Sequence, residues 1–176
     1  MKNISIILTT VILVFFSCKK NILDIRFKMN YDTEFTISSG MGINLPFNIY
    51  TPDITTNSEE QFAANDTRKD KVKEVKLESM QLSITSPSGS NFDFLKSIEF
   101  YIKADGLDEV KYAYIDEVPD GKTILNLNTV DVNLADYLKK DKFSLRVKTV
   151  QDEMLGQDTD IKSASVFAVT ANPLKR

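Results

Sequence analysis

From Leu23 to Ile37 the chain alternates with a period of two. Leu23, Ile25, Phe27, Met29, Tyr31, Phe35 and Ile37 hold odd positions, with only Thr33 interrupting. Asp24, Arg26, Lys28, Asn30, Asp32, Glu34 and Thr36 hold the even ones. Successive side chains of an extended chain leave opposite faces, so a strand sorts these residues into one apolar and one polar face. A helix would scatter them around its circumference. A run of this length predicts a strand with a bend or bulge near Asp32, shared between two sheets. Its apolar face has to be covered by a second layer.

The rest of the chain repeats that message in shorter pieces. Ser38 to Gly42 is turn material, and alternation resumes with Ile43, Leu45, Phe47 and Ile49. Pro46, on the other parity, has no N–H for a ladder, which predicts an edge strand. Residues 54–74 lose the alternation. Asn57-Ser58-Glu59-Glu60 would open one or two helical turns through Ala64, and the mixed charges from Asp66 to Glu74 read as a solvated connection. From Val75 to Thr85 the apolar parity switches between Leu77 and Met80, which predicts a bulge at Glu78–Ser79. Ser86 to Ser90 is a turn cluster, and Phe92, Phe94 and Leu95 form an apolar turn that plugs the core.

Ile98 to Ala104 and Val110 to Ile115 flank Asp105-Gly106-Leu107-Asp108 and predict a hairpin. A four-residue loop pairs Ala104 with Glu109, Phe100 with Ala113 and Ile98 with Ile115. The other face then carries Glu99, Tyr101 and Lys103 opposite Tyr114, Tyr112 and Val110. Strands are also expected through Leu125 and Leu127, from Phe143 to Thr149 and from Ser163 to Ala171, with a short helix from Leu134 to Lys140. About eight strands and no helix long enough for a parallel crossover predict an all-β fold. The expected architecture is a two-sheet antiparallel β-sandwich, immunoglobulin-like or jelly-roll-like, with short helical connections.

The first residues carry a different signal. Met1-Lys2-Asn3 is short and basic, Ile4 to Phe16 is almost wholly apolar, and Ser17-Cys18-Lys19-Lys20 follows at once. This is the pattern of a secretory signal peptide, and the apolar run falls short of the about 20 residues that span a bilayer. Cys18 is the only cysteine among 176 residues, so it has no partner for an internal disulfide. The ending Phe-Phe-Ser-Cys-Lys-Lys resembles the relaxed lipobox of Bacteroidota envelope lipoproteins. Ser17 fits the usual pattern, whereas Phe15 and Phe16 stand where Leu and a small residue are customary. The resemblance implies cleavage before Cys18, a diacylglycerol on its thiol and an acyl chain such as palmitate on its new amine. Two or more chains hold a protein firmly where one holds only reversibly. Lys19, in place of the Asp that retains lipoproteins in the inner membrane, implies the outer membrane; the absence of acidic residues in Lys19-Lys20-Asn21 implies its periplasmic face. The expected organisation is a cleaved signal peptide over 1–17, a lipid anchor and short tether over 18–21, and one β-sandwich domain over 22–176.

Composition narrows the chemistry. Removing residues 1–17 leaves 159, ample for one domain, and the loss of Lys2 takes the side-chain charge from −3 to −4. A mildly acidic chain lacks the basic character that nucleic-acid binding demands. With no histidine there is no imidazole base, no Ser-His-Asp arrangement and no His-ligated zinc. The six glycines form neither a dinucleotide fingerprint nor a P-loop. No cofactor and no enzymatic activity are expected.

Two groups remain as candidate sites. Tyr101, Tyr112 and Tyr114 share one face of the hairpin in the register above, and exposed tyrosines suit binding because the ring packs while the hydroxyl hydrogen-bonds. The competing reading is that a one-residue slip turns these rings into the core. Asp152, Glu153, Asp158 and Asp160 crowd one loop and could offer oxygens to calcium, although their spacing matches no EF-hand and a solvated turn is the favoured reading. The functional expectation is a lipid-anchored, non-catalytic binding or accessory module, held on a membrane and meeting another envelope protein or a glycan. A glycan- or calcium-binding sandwich is the alternative, followed by a carboxylate-dependent hydrolase.

Overall fold

In the computed structural model, which describes residues 24–174, the alternating run forms β1 (Ile25–Ile37) and lies antiparallel to β10 (Thr159–Ala171). The register runs unbroken from Ile25 opposite Ala171 to Ile37 opposite Thr159. The bulge expected near Asp32 is therefore absent, and β1 pairs within one sheet only. Thr33 breaks the apolar pattern without bending the strand because it sits half-buried at a sheet edge, where its hydroxyl keeps access to water.

That sheet has the order β1-β10-β4-β7, with β4 spanning Val72–Ser86 and β7 Ile124–Asn126. The second contains β2 (Pro46–Tyr50), β9 (Lys142–Gln151), β5 (Leu95–Lys103), β6 (Val110–Ile115) and β8 (Asn128–Thr129), in that spatial order. The short β3 (Ile54–Thr55) pairs with the start of β9. Every ladder is antiparallel; only an isolated bridge from Ile43 to Gln151 runs parallel. The all-β, two-sheet sandwich expected from the sequence is what forms. Pro46 stands in an edge strand, as its missing N–H requires.

Strands exceed the expected eight partly because β3 is too short to announce itself. In addition, the segment through Leu125 and Leu127 is split between layers: β7 pairs with β4 in one sheet, and β8 pairs with β6 in the other. Leu127, buried between them, is the stitch that crosses the sandwich. Among the described residues the two short α-helices are α1 (Ser58–Ala64) and α2 (Ala135–Leu138), with a single 3-10 turn at Lys69–Lys71. Phe62 of α1 is buried and meets the edge of the Phe27 ring at 6.1 Å, while the Tyr31 hydroxyl donates to the Thr56 carbonyl. These contacts close the gap between the sheets beneath β1.

The core is built by odd-numbered residues of β1, β9 and β10 and by the matching parities of β4, β5 and β6. Four rings link the two layers: Phe35 to Phe100 at 5.7 Å, Phe100 to Tyr112 at 6.4 Å and Tyr112 to Phe167 at 6.3 Å. Burying a side chain of this size contributes about 1.5–3 kcal/mol. Phe92, Phe94 and Leu95 plug the core as expected.

Several register shifts set which residues reach it, and two of them bear on the expectations above. Opposite β10, Val166 faces Ser79 and Phe167 faces Leu77, so Glu78 is the extra residue and both apolar parities of β4 point inward. This bulge is the one read from the parity switch. The second, in the hairpin, was not expected: Phe100 faces Ala113, but Tyr101 faces Lys111. The extra residue is Tyr112, and Tyr112 and Ala113 are both buried. Tyr112 thus leaves the face assigned to it and joins the core, because a bulge aims two consecutive side chains to one side.

No helix among the described residues is long and apolar enough to cross a membrane. The signal peptide, Cys18 and the tether lie outside the described residues.

Candidate ligand-binding face

The outer face of the six-stranded sheet brings together the polar parity of four strands in two cross-strand rows. Asn48, Lys148, Glu99 and Tyr114 are successive partners across β2, β9, β5 and β6. Tyr50, Arg146, Tyr101 and Lys111 form the adjacent row. Facing residues of paired strands lie close enough for long side chains to interact.

Glu99 is the centre of this face. Oε1 accepts from Lys111 Nζ at 3.0 Å, and Oε2 accepts from Lys148 Nζ at 2.9 Å and from the Tyr101 hydroxyl at 3.1 Å. Partial burial pushes the Glu99 carboxyl upward, but the hydrogen bonds from Lys148, Lys111 and Tyr101 outweigh it and hold the pKa at about 2. Lys111 is raised in turn, chiefly through its hydrogen bond to Glu99.

Arg146 anchors the neighbouring position. Its Nε donates to Glu109 Oε1 at 3.0 Å and its Nη2 to Oε2 at 2.6 Å, the paired geometry that a planar guanidinium permits. Nη1 donates to Asn48 Oδ1 at 2.7 Å. The guanidinium lies over the Tyr101 ring, 3.9 Å from its centroid, and the Lys111 ammonium stands 5.0 Å from that of Tyr114. The bond to Glu109 is the main reason that Arg146 is raised.

Tyr101 and Tyr114 therefore lie on the outer face, half-buried, as the sequence suggested, and Tyr112 does not. Burial raises the Tyr112 hydroxyl well above the usual phenol range. The sequence did not reveal Arg146 and Lys148 as members of this face. They stand on β9, whose place beside β5 follows from strand order, and only the alternation from Phe143 to Thr149 marked them as outward. Within the network every cation has a carboxylate partner. These three cations share two carboxylates, Glu99 and Glu109, and the half-buried Tyr101 and Tyr114 rings offer a ligand apolar surface beside them.

The acidic loop is arranged differently. Asp158 Oδ1 accepts from the Ser39 N–H at 2.9 Å and its hydroxyl at 3.0 Å, and these bonds hold the carboxyl below its usual range. Asp160 Oδ1 accepts from the Thr36 hydroxyl at 2.7 Å. Glu153 lines an open cleft of about 570 Å³ with Asn91, Asp93, Met154 and Thr159. Asp152 instead ties its backbone N–H to the Phe94 carbonyl. Among the described residues no group of three or more His, Cys, Asp or Glu is gathered closely enough to hold a metal ion.

No protein-family model matches the chain, and no curated protein does. A solved structure of Desmodium yellow mottle tymovirus aligns at 8% identity over 85% of this chain and 90% of the other, with a TM-score of 0.29.

Proposed function

We propose that this protein is a lipid-anchored, non-catalytic module of a bacterial cell envelope, held in the outer membrane at its periplasmic face and binding another envelope component. The observation that carries the reading is the placement of Cys18 immediately after an apolar run and Ser17 and just before Lys19-Lys20. β1 begins at Ile25, seven residues beyond Cys18. Even fully extended, such a tether reaches at most about 25 Å, so a lipidated Cys18 keeps the sandwich close to the bilayer surface. The ligand class favoured by the Tyr101–Tyr114 face is a protein surface or a sugar, which would pack on the rings and exchange hydrogen bonds with the polar groups around them.

The test is chemical. Replacing Cys18 with Ser is expected to move the protein from the membrane to the soluble fraction and to abolish incorporation of a fatty-acid probe. Labelling that persists in the Cys18→Ser chain would overturn the anchor assignment.

A further inference from the structure

β1 is a sheet edge of unusual length for an uncovered one. Its only strand partner is β10, and among the described residues 25–37 make no other backbone–backbone hydrogen bonds. Thirteen residues at the rise of a strand give an open edge about 40 Å long. Among the described residues the other terminal strands are shorter: β7 has three residues, β8 and β3 two each, and β2 five beginning at Pro46. Open edges are normally blunted by charge, most simply by charge of one sign that repels a second strand.

The charges on β1 are arranged in the opposite manner. Its exposed face reads Arg26, Lys28, Asn30, Asp32, Glu34, with cations in the first half, acids in the second and a neutral residue between them. Rotation by 180° about Asn30, on an axis perpendicular to the sheet, lays a second β1 antiparallel to the first. Asn30 then faces Asn30, Lys28 faces Asp32 and Arg26 faces Glu34, each ion pair occurring twice. Directly opposed residues of an antiparallel pair lie on the same face, so these partners are true neighbours.

Two further observations select this pairing. First, the facing residues always share parity, so the backbone groups that point away from β10 in one copy meet those that point away in the other. Shifting one strand by two residues so that Arg26 faces Asp32 would instead oppose Asp24 to Glu34, and the opposite shift, with Lys28 facing Glu34, keeps two ion pairs in place of four. Second, Arg26 has no ion pair or hydrogen bond within the chain among the described residues, and Glu34 faces Lys162, whose ammonium is bonded to Asp32 at 2.7 Å; Lys28 pairs with Glu78 at 2.5 Å. The second copy would supply Arg26 with a counterion, give Glu34 a cation of its own in place of one shared with Asp32, and join the existing pairs into runs of alternating sign.

We propose that β1 is a homodimer interface, a second copy of this chain adding strand to strand about Asn30. The assembly has one continuous eight-stranded sheet, β7-β4-β10-β1 followed by its two-fold image. This inference is independent of the lipid anchor, and the experiment keeps the two apart.

Full-length chain carrying Cys18→Ser, purified in detergent, is examined by analytical ultracentrifugation up to about 100 µM, within reach of a weak self-association. A dimer is expected. Glu34→Arg or Arg26→Glu sets like charges opposite each other twice and weakens it about tenfold or more; combining the two restores the affinity to within about threefold. Both positions are exposed, so the variants keep the fold. On oxidation, Asn30→Cys crosslinks the dimer and Thr36→Cys does not. A protein that stays monomeric, a dimer indifferent to the single reversals, a double variant that is not restored, or equal crosslinking at Thr36 overturns the proposal.

Discussion

The two sheets both carry charges on their outer faces, put together in different ways. On the four-stranded sheet two of the cross-strand pairs stand in water: the Lys28 and Glu78 side chains are 59% and 43% exposed, and those of Lys162 and Asp32 are 40% and 57% exposed. On the six-stranded sheet the charges converge. Glu99 takes three donors while 18% exposed, and Arg146 and Glu109 pair at 17% and 28%. Solvent and side-chain entropy cancel most of an exposed pair, whereas a half-buried acid with several donors is held firmly enough to shift its ionisation. Alternation in the sequence therefore tells where charge will lie. How much that charge contributes depends on how many neighbours the strand order brings to it.

Three substitutions would break or sharpen this contrast. The largest effect is expected beneath the network, where Tyr112 stacks on Phe167 and meets the edge of Phe100. Tyr112→Ala removes a buried ring and is expected to cost about 3–5 kcal/mol in urea unfolding. A loss below about 1 kcal/mol would place the ring at the surface and the hairpin in its unbulged register.

Glu99→Gln comes next, at about 1–2 kcal/mol near neutral pH, because its donors lose a charged acceptor. The folded-state pKa of about 2 lies below the ordinary 4.5, so the carboxylate's contribution is complete above about pH 4.5. It declines as pH falls from there towards 2. The stability gap between wild type and Glu99→Gln should close over that interval, and a gap that stays constant would remove the network's electrostatic role. Glu78→Ala, on the opposite sheet, should change stability by less than about 0.5 kcal/mol. If it cost as much as Glu99→Gln, the distinction between the two faces would fail.

Local pattern was a good guide wherever local sterics decide the outcome. Fifteen residues of strict alternation foretold β1, the displaced parity of Leu77 and Met80 foretold the Glu78 bulge, and Pro46 foretold an edge. The hairpin bulge left no such trace. Val110, Tyr112 and Tyr114 alternate with Lys111 and Ala113 as in any regular strand, and alanine and tyrosine both tolerate either side of a sheet. What draws Tyr112 inward is the space between Phe100 and Phe167, and Phe167 belongs to the other sheet. The site suffered the same limit: its tyrosines were visible one hairpin at a time, but Arg146 reaches Tyr101 through a pairing of distant strands. The crossing at Leu127 was hidden because the alternation of Leu125 and Leu127 continues while the chain changes layers.

The place of β10 has a consequence for how the molecule comes into being. It is the last strand of the described residues, yet it lies between β1, the first, and β4. During synthesis or export that proceeds from the N-terminus, β1 and β4 have no central strand to join until Thr159–Ala171 has emerged. Contacts between residues so far apart form slowly, and strands waiting for a partner are prone to pair wrongly. The four-stranded sheet is thus assembled as a final closure, and a chain interrupted before Thr159 would leave β1 with no strand to pair with and β4 without its longest neighbour.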